Sequence, residues 1–185
     1  QRVVEVASPQ SAVLFGQPGL PVTDPAWETL QVVLRVLGGG GFSSRLMEAV
    51  RVQRGLTYGI GVGLDSLFGQ GVIVGSTSTD NARVAETLAV TRAEWARMAA
   101  DGPTPAELED AVAFLTGNLP LQFTDSRRIA GTLLALRRND RPIGWLNERA
   151  DRLRALTPAS TAAAARRVLD AQTLAVAIAG RPEGV

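Results

Sequence analysis

Two stretches carry the residues that could do chemistry. Gly38-Gly-Gly-Gly-Phe-Ser-Ser-Arg-Leu46 is followed closely by Val50-Arg-Val-Gln-Arg-Gly-Leu-Thr-Tyr58. Together they set Arg51 against Tyr58, the only tyrosine of the chain, across a helix-to-strand reversal. A guanidinium offers five fixed donors and stays charged; a phenol offers one directional donor. Such a pair suits a polar backbone group or a developing oxyanion. On an unbroken helix the two would share one face, two turns apart. The break at Gly55 puts Arg51 on the last helical turn and Tyr58 at the start of a strand, and a tight reversal can aim both at one spot.

Plainer readings of the same residues stay open at this level. Arg51 fits a surface arginine near a helix C-terminus. Tyr58 fits a core aromatic on a strand. Arg54 lies as close to Tyr58 in sequence and competes for the same role.

The chain has no histidine and no cysteine. That excludes a Ser-His-Asp triad, an H-x-x-E-H zinc site, thiolate zinc sites, cysteine nucleophiles and disulfides. Glu107 and Asp110 share a helical face, but with no histidine to join them they read as solvated or capping carboxylates. The four glycines from Gly38 follow a helix, and the chain has no lysine, so a phosphate loop does not fit. A flexible connector fits better.

The elements that must position Arg51 and Tyr58 follow from periodicity. Arg2 to Ala7 reads as an extended lead-in and Ser11 to Gln17 as a buried strand. Thr23-Asp24-Pro25 starts a helix with Trp27, Leu30, Leu34 and Leu37 on one stripe, and the glycine run stops it. Ser43 or Ser44 caps the next helix, with Leu46, Met47 and Val50 toward the core; Gly55 ends it. In Thr57 to Asp65, Tyr58, Ile60, Val62 and Leu64 alternate with Thr57, Gly59, Gly61 and Gly63. One face is bulky; the bare one would let another backbone or a helix approach. A turn over Ser66 to Gly71 leads to an antiparallel strand over Gly71 to Ser76.

Asp80 reads as the cap of a long helix over Asn81 to Ala100, with Val84, Leu88, Trp95 and Met98 inward. Thr104-Pro105-Ala-Glu107 is a capping box. Pro120 ends or kinks that helix. Further helices are expected over Ser126 to Arg138, Gly144 to Leu156 and Pro158 to Leu169, then a last strand over Thr173 to Ala179. The three tryptophans, Trp27, Trp95 and Trp145, read as core or interface. The order is β-α-β-β-α-β, an α+β fold of split β-α-β type: helices on one face of a small, largely antiparallel sheet. Residues 1–185 read as a single domain without repeat or linker.

With 45% apolar residues the chain is globular, and its 185 residues can bury roughly two-thirds of the unfolded surface. A net charge of +1 favours neither nucleic acid nor an acidic membrane, and no apolar run is long enough for a membrane span. All 19 basic residues are arginine, which fits the codon bias of a GC-rich bacterial genome. The chain opens on Gln1, directly into a strand, with no visible signal peptide, and reads as a fragment or processed chain.

In this order the segments resemble the C-terminal half-domain of pitrilysin/insulinase-type zinc metallopeptidases, the relatives of mitochondrial processing peptidase. The first is Leu37-Gly-Gly-Gly-Gly-Phe-Ser-Ser-Arg-Leu46 and the second is Val50 to Tyr58 as quoted above. The third is Leu115-Thr-Gly-Asn-Leu-Pro-Leu121 with Ile129-Ala130. The fourth is Leu156-Thr157-Pro158 through Ala164-Arg-Arg-Val-Leu169 to the closing strand. Members of that family close two similar half-domains into a chamber. One half carries H-x-x-E-H and zinc; the other is degenerate and contributes an arginine and a tyrosine facing the metal.

The resemblance places those two on Arg51 and Tyr58 as substrate-binding residues, with no catalytic and no metal-binding residue in this chain. It implies the non-catalytic half of a zinc endopeptidase, inactive by itself. The partner is an H-x-x-E-H-bearing N-terminal half or separate subunit that holds the zinc; the ligand is a peptide. Alone, such a half could pair with a second copy of itself. The alternative is a structural or binding subunit of core-protein type, inactive in both halves. A small-molecule binding module has only the fold behind it. The compartment stays open, with a lean toward the periplasm because many bacterial relatives are exported.

Overall fold

Burial alternates along the strands and sorts the sheet into two unlike faces. The structure, a computed structural model, describes residues 1–67 and 69–185. Five strands form one sheet: β1 (Arg2–Glu5), β2 (Gln10–Pro18), β3 (Thr57–Leu67), β4 (Gln70–Asp80) and β5 (Ala175–Gly180), in the order β1-β5-β2-β4-β3. Only β1 and β5 pair in parallel; the other neighbours are antiparallel. β4 lies between β2 and β3, as the split β-α-β order requires.

On one face Val13, Phe15, Ile73, Val176 and Ile178 are buried under the helices. On the other, Ala12, Ala175, Ala177, Ala179, Ser76 and Ser78 are exposed. The helices are α1 (Trp27–Leu34), α2 (Val84–Asp101), α3 (Pro105–Gly117), α4 (Ser126–Arg138), α5 (Arg149–Arg154) and α6 (Pro158–Val168). No helix among the described residues is long and apolar enough to cross a membrane.

Trp95 of α2 anchors the core. It is fully buried, stands edge-on to Phe15 at 6.0 Å, and donates its indole N–H to Gln17 Oε1 at 2.9 Å. Gln17 is itself buried and donates back to the carbonyl of Val168, so the polar atoms of this contact are satisfied. Trp27 is also buried, while Trp145 is half-buried between the guanidinium groups of Arg141 and Arg152.

Local structure departs from periodicity in several places. β4 runs on to Asp80, well past Ser76, because Thr77 and Thr79 point inward, where their hydroxyls meet the Thr57 hydroxyl and the Leu56 carbonyl. Asp80 stands at the cap position without a side-chain bond to the helix, and the first turn, Asn81–Arg83, is 3-10. The helix expected over Gly144 to Leu156 is a 3-10 turn, Ile143–Leu146, then the short α5. β3 reaches Leu67 and β4 starts at Gln70, so the connection is tighter than Ser66 to Gly71; Phe68 of that turn lies outside the described residues.

The capping box at Thr104 and Glu107 forms as expected. Glu107 also takes a forked pair from Arg45 of the first motif, at 2.7 and 2.6 Å. Burial pushes the Glu107 carboxyl up, but the Arg45 fork and the bonds from Thr104 outweigh it and hold the pKa down at about 2, from 4.5. A carboxyl held below its unfolded value stabilises the fold fully above about pH 4.5, and that stabilisation fades as pH falls toward 2. Glu107→Gln is therefore expected to cost about 2 kcal/mol at pH 7 in urea unfolding. The gap to wild type should close as pH falls through this window.

Candidate functional site

The site is built on the reversal between the two motifs. α1 ends in a π-helical turn, Arg35–Gly39, in which Gly38 is buried. A side chain at Gly38 would meet Val62 Cγ2 at 2.9 Å, and one at Gly39 would meet the Val62 carbonyl at 3.2 Å. These glycines let the helix end close onto β3 and cover its edge. They pack the chain; they do not serve as a slack connector.

Ser44 follows in extended conformation, and its carbonyl accepts from the Glu48 N–H to open the next helix. Its hydroxyl turns back to the Gly41 carbonyl at 2.9 Å and makes no cap bond. The helix then widens to π geometry over Met47–Val52. It closes with Gly55 N–H on the Arg51 carbonyl and Leu56 N–H on the Val50 carbonyl. Gly55 has φ +58°, a conformation that glycine adopts without a Cβ penalty. Arg83 ties the turn down by donating to the Arg54 and Gly55 carbonyls. Arg83 gave no signal in the sequence, since it lies a strand pair away.

Tyr58 is not on the bulky face of its strand. It is 84% exposed, whereas Ile60 and Val62 are buried. The register explains the difference. Thr57 pairs with Thr79 and Ile60 with Thr77, so β3 spends three steps where β4 spends two. The extra residue is a β-bulge at Tyr58–Gly59, and it turns Tyr58 outward. The helices approach on the Ile60 and Val62 side, and nothing lies within 4 Å of a side chain added at Gly59 or Gly63. The bare face is thus the open one, the reverse of what alternation implies.

Tyr58 lines a groove of about 700 Å³ on this open face, with Ala12, Leu14, Gly61, Ser76 and Gly41. Arg51 does not line it. Its guanidinium lies 4.5 Å from the ring centre of Phe42, the exposed neighbour of Gly41. None of the ion pairs among the described residues involves Arg51. Arg54 is committed elsewhere: it donates to the Ala49 carbonyl at 2.8 Å and to Gln53. Arg54→Ala is accordingly expected to loosen the helix end by about 0.5–1 kcal/mol in thermal unfolding, with less than a tenfold effect on any activity of the site.

The chain has no histidine or cysteine, and no group of three or more candidate metal ligands stands together among the described residues. Of the two carboxylates singled out, Glu107 is bound to Arg45 and to its own helix cap. A second groove of about 700 Å³ lies on the helical side between Leu108, Val112, Leu156 and Pro158, far in the sequence from Arg51 and Tyr58.

Residues 1–115 match the peptidase M16 inactive domain family. The chain belongs to this family. The M16 match contains both motifs and hence the whole reversal; the segments around Pro120 and Thr157 lie beyond it. Among proteins of known sequence, the chain is 33% identical over 128 residues to the "Non-peptidase homolog YmxG" of Helicobacter pylori. That alignment covers 66% of the chain and 28% of the relative. It is 35% identical over 122 residues to an uncharacterized zinc protease of Streptomyces coelicolor, covering 63% of the chain and 25% of the relative. The chain thus spans little more than a quarter of these proteins.

Among solved structures, the peptidase M16 inactive domain from Pseudomonas fluorescens superposes with a TM-score of 0.90 at 29% identity, over 98% of this chain and 42% of that one. A protease from Helicobacter pylori shares the fold with a TM-score of 0.85 at 15% identity, over 96% of this chain and 43% of that one. The α+β half-domain architecture and the inactive-domain family thus stand together.

Proposed function

We propose that the chain is the substrate-binding, non-catalytic half of a zinc-dependent endopeptidase, with residues 1–185 forming one half-domain. Arg51 and Tyr58 would hold the peptide backbone or the oxyanion opposite a zinc ion carried by another half-domain or subunit. The observation that carries this reading is the presentation of Tyr58. A bulge brings the only tyrosine of the chain out of the core and onto a groove on the open sheet face. A structural aromatic would gain more from burial on the other side of the strand, where one side chain contributes roughly 1.5–3 kcal/mol.

Arg51 supports the reading from the other side. It is a half-buried cation whose side chain, among the described residues, makes a cation–π contact and no ion pair, and such a contact contributes about 0.5–1 kcal/mol. An anionic oxygen can compete for it. The arrangement supplies donors and no base or metal, so this half stabilises charge that its partner's chemistry creates. The zinc, the H-x-x-E-H half and the peptide remain parts of the proposal.

The name of the Helicobacter relative favours one other reading, a peptidase fold without peptidase activity. The two readings part on one experiment: cleavage of a quenched fluorescent peptide by the zinc-bearing half, with and without this chain. Activity that needs this chain supports the enzyme. A zinc-bearing half that does not exist, or one indifferent to this chain, leaves a scaffold.

A further inference from the structure

We propose that Thr57 and Thr77 form a hydroxyl clasp that holds the β3 bulge open and so keeps Tyr58 on the groove. They are positioning residues for the site read above, and their role in turnover rests on that reading. The clasp itself does not.

A bulge leaves the backbone groups of its extra residue outside the ladder. Here the extra residue is Gly59, and both of its groups are taken up by threonines. Gly59 N–H donates to Thr57 Oγ1 at 3.1 Å. The Gly59 carbonyl lies 2.9 Å from Thr77 Oγ1 and 3.0 Å from Thr57 Oγ1. Thr57 Oγ1 lies 2.7 Å from the Ser78 carbonyl and 2.9 Å from Thr77 Oγ1. Each hydroxyl has one proton to give. One assignment serves every group: Thr77 donates to the Gly59 carbonyl, Thr57 donates to the Ser78 carbonyl, and Thr57 accepts from Gly59 N–H.

Both threonines are buried, at 8% and 7% exposure, at the floor of the groove. Without them the bulge would hold two unpartnered backbone groups away from water, which disfavours it. Regular pairing from Ile60 would then be favoured. That register sets Tyr58 opposite Thr79, on the helix-covered face, and moves Thr57 out. The clasp thus decides which side of the sheet the phenol occupies. Beyond the bulge, Ile60 N–H rests on Met47 Sδ at 3.4 Å, which pins the strand to the helix bearing Arg51.

The single tyrosine makes the test direct. Fluorotyrosine-labelled chain gives one fluorine signal, whose broadening by a soluble gadolinium chelate reports the exposure of Tyr58. Thr57→Val with Thr77→Val is expected to cut that broadening about threefold or more, or to split the signal. Thr57→Ser with Thr77→Ser keeps the hydroxyls and should retain the wild-type signal. An unchanged signal in the valine pair overturns the proposal.

If the valine pair fails to fold, hydrogen exchange of the wild type decides. The Gly59 amide is expected to exchange about tenfold or more slowly than its unprotected rate, and exchange at the unprotected rate overturns the clasp. In the cleavage assay the valine pair should lose turnover as Tyr58→Phe does, with the serine pair restoring it. A displaced fluorine signal with unaltered cleavage keeps the clasp and removes the substrate-binding reading of Tyr58.

Discussion

Tyr58→Phe is expected to lower turnover of the proposed two-half peptidase about 10²-fold, and Arg51→Ala by about 10²–10³-fold, the usual loss on removing one donor to a developing oxyanion. Both should act on kcat more than on KM, because the charge they are proposed to meet exists chiefly in the transition state. Neither should disturb folding. The Tyr58 hydroxyl is carried on a ring that is 84% exposed, and Arg51 is absent from the ion pairs of the described residues. Thermal midpoints within a degree or two of wild type, together with the loss of turnover, would separate a substrate-binding role from a structural one. Equal turnover in both variants would remove the pair from the mechanism. The contrast with Arg54→Ala sharpens the test, since that guanidinium is already bound to the Ala49 carbonyl.

The other large effect lies in the core. Trp95→Ala is expected to cost about 3–5 kcal/mol, measured as a shift in the urea midpoint. The ring is fully buried, packs edge-on against Phe15, and holds Gln17 through its indole N–H. Total stability for a domain of this kind is about 5–15 kcal/mol, so this one change takes a large share of it. Trp95→Phe should be milder, about 1–3 kcal/mol. It keeps much of the apolar contact, and Gln17 Oε1 still accepts from Asp170 N–H at 3.2 Å. Because Phe15 and Gln17 sit on β2, which pairs with β4 behind the groove, loss of Trp95 should also reduce activity, but only through loss of folded protein.

Much of the architecture was legible in the residues because it follows from short-range rules. Alternating apolar residues placed β2, the end of the chain and most of β3. Thr104 with Glu107, and Thr157 with Pro158, opened helices where their capping chemistry says they should. Gly55 ended a helix in a left-handed turn. Where short-range rules failed, a partner distant in sequence had intervened. β4 outran its apolar run because Thr79 found the Leu56 carbonyl, 23 residues away. Asp80 gave up a helix cap and stayed in the strand, paired opposite Gln10.

The sequence by itself determined which residues the chain has to offer. A chain without histidine or cysteine brings no zinc ligands of the usual kind, and its two motifs set Arg51 and Tyr58 on either side of a reversal. Only the tertiary structure decided where those residues face. Strict alternation puts Tyr58 in the core with Ile60 and Val62. A bulge fastened by Thr77, 20 residues away, puts it on the groove. Arg51 was separated from Arg54 by the ring of Phe42 and the carbonyl of Ala49, not by spacing. The physical reason is common to these cases. Periodicity records the preference of one strand or helix for its own repeat, whereas a bulge or a stacked cation depends on hydrogen bonds and rings that the rest of the chain delivers only once it has folded.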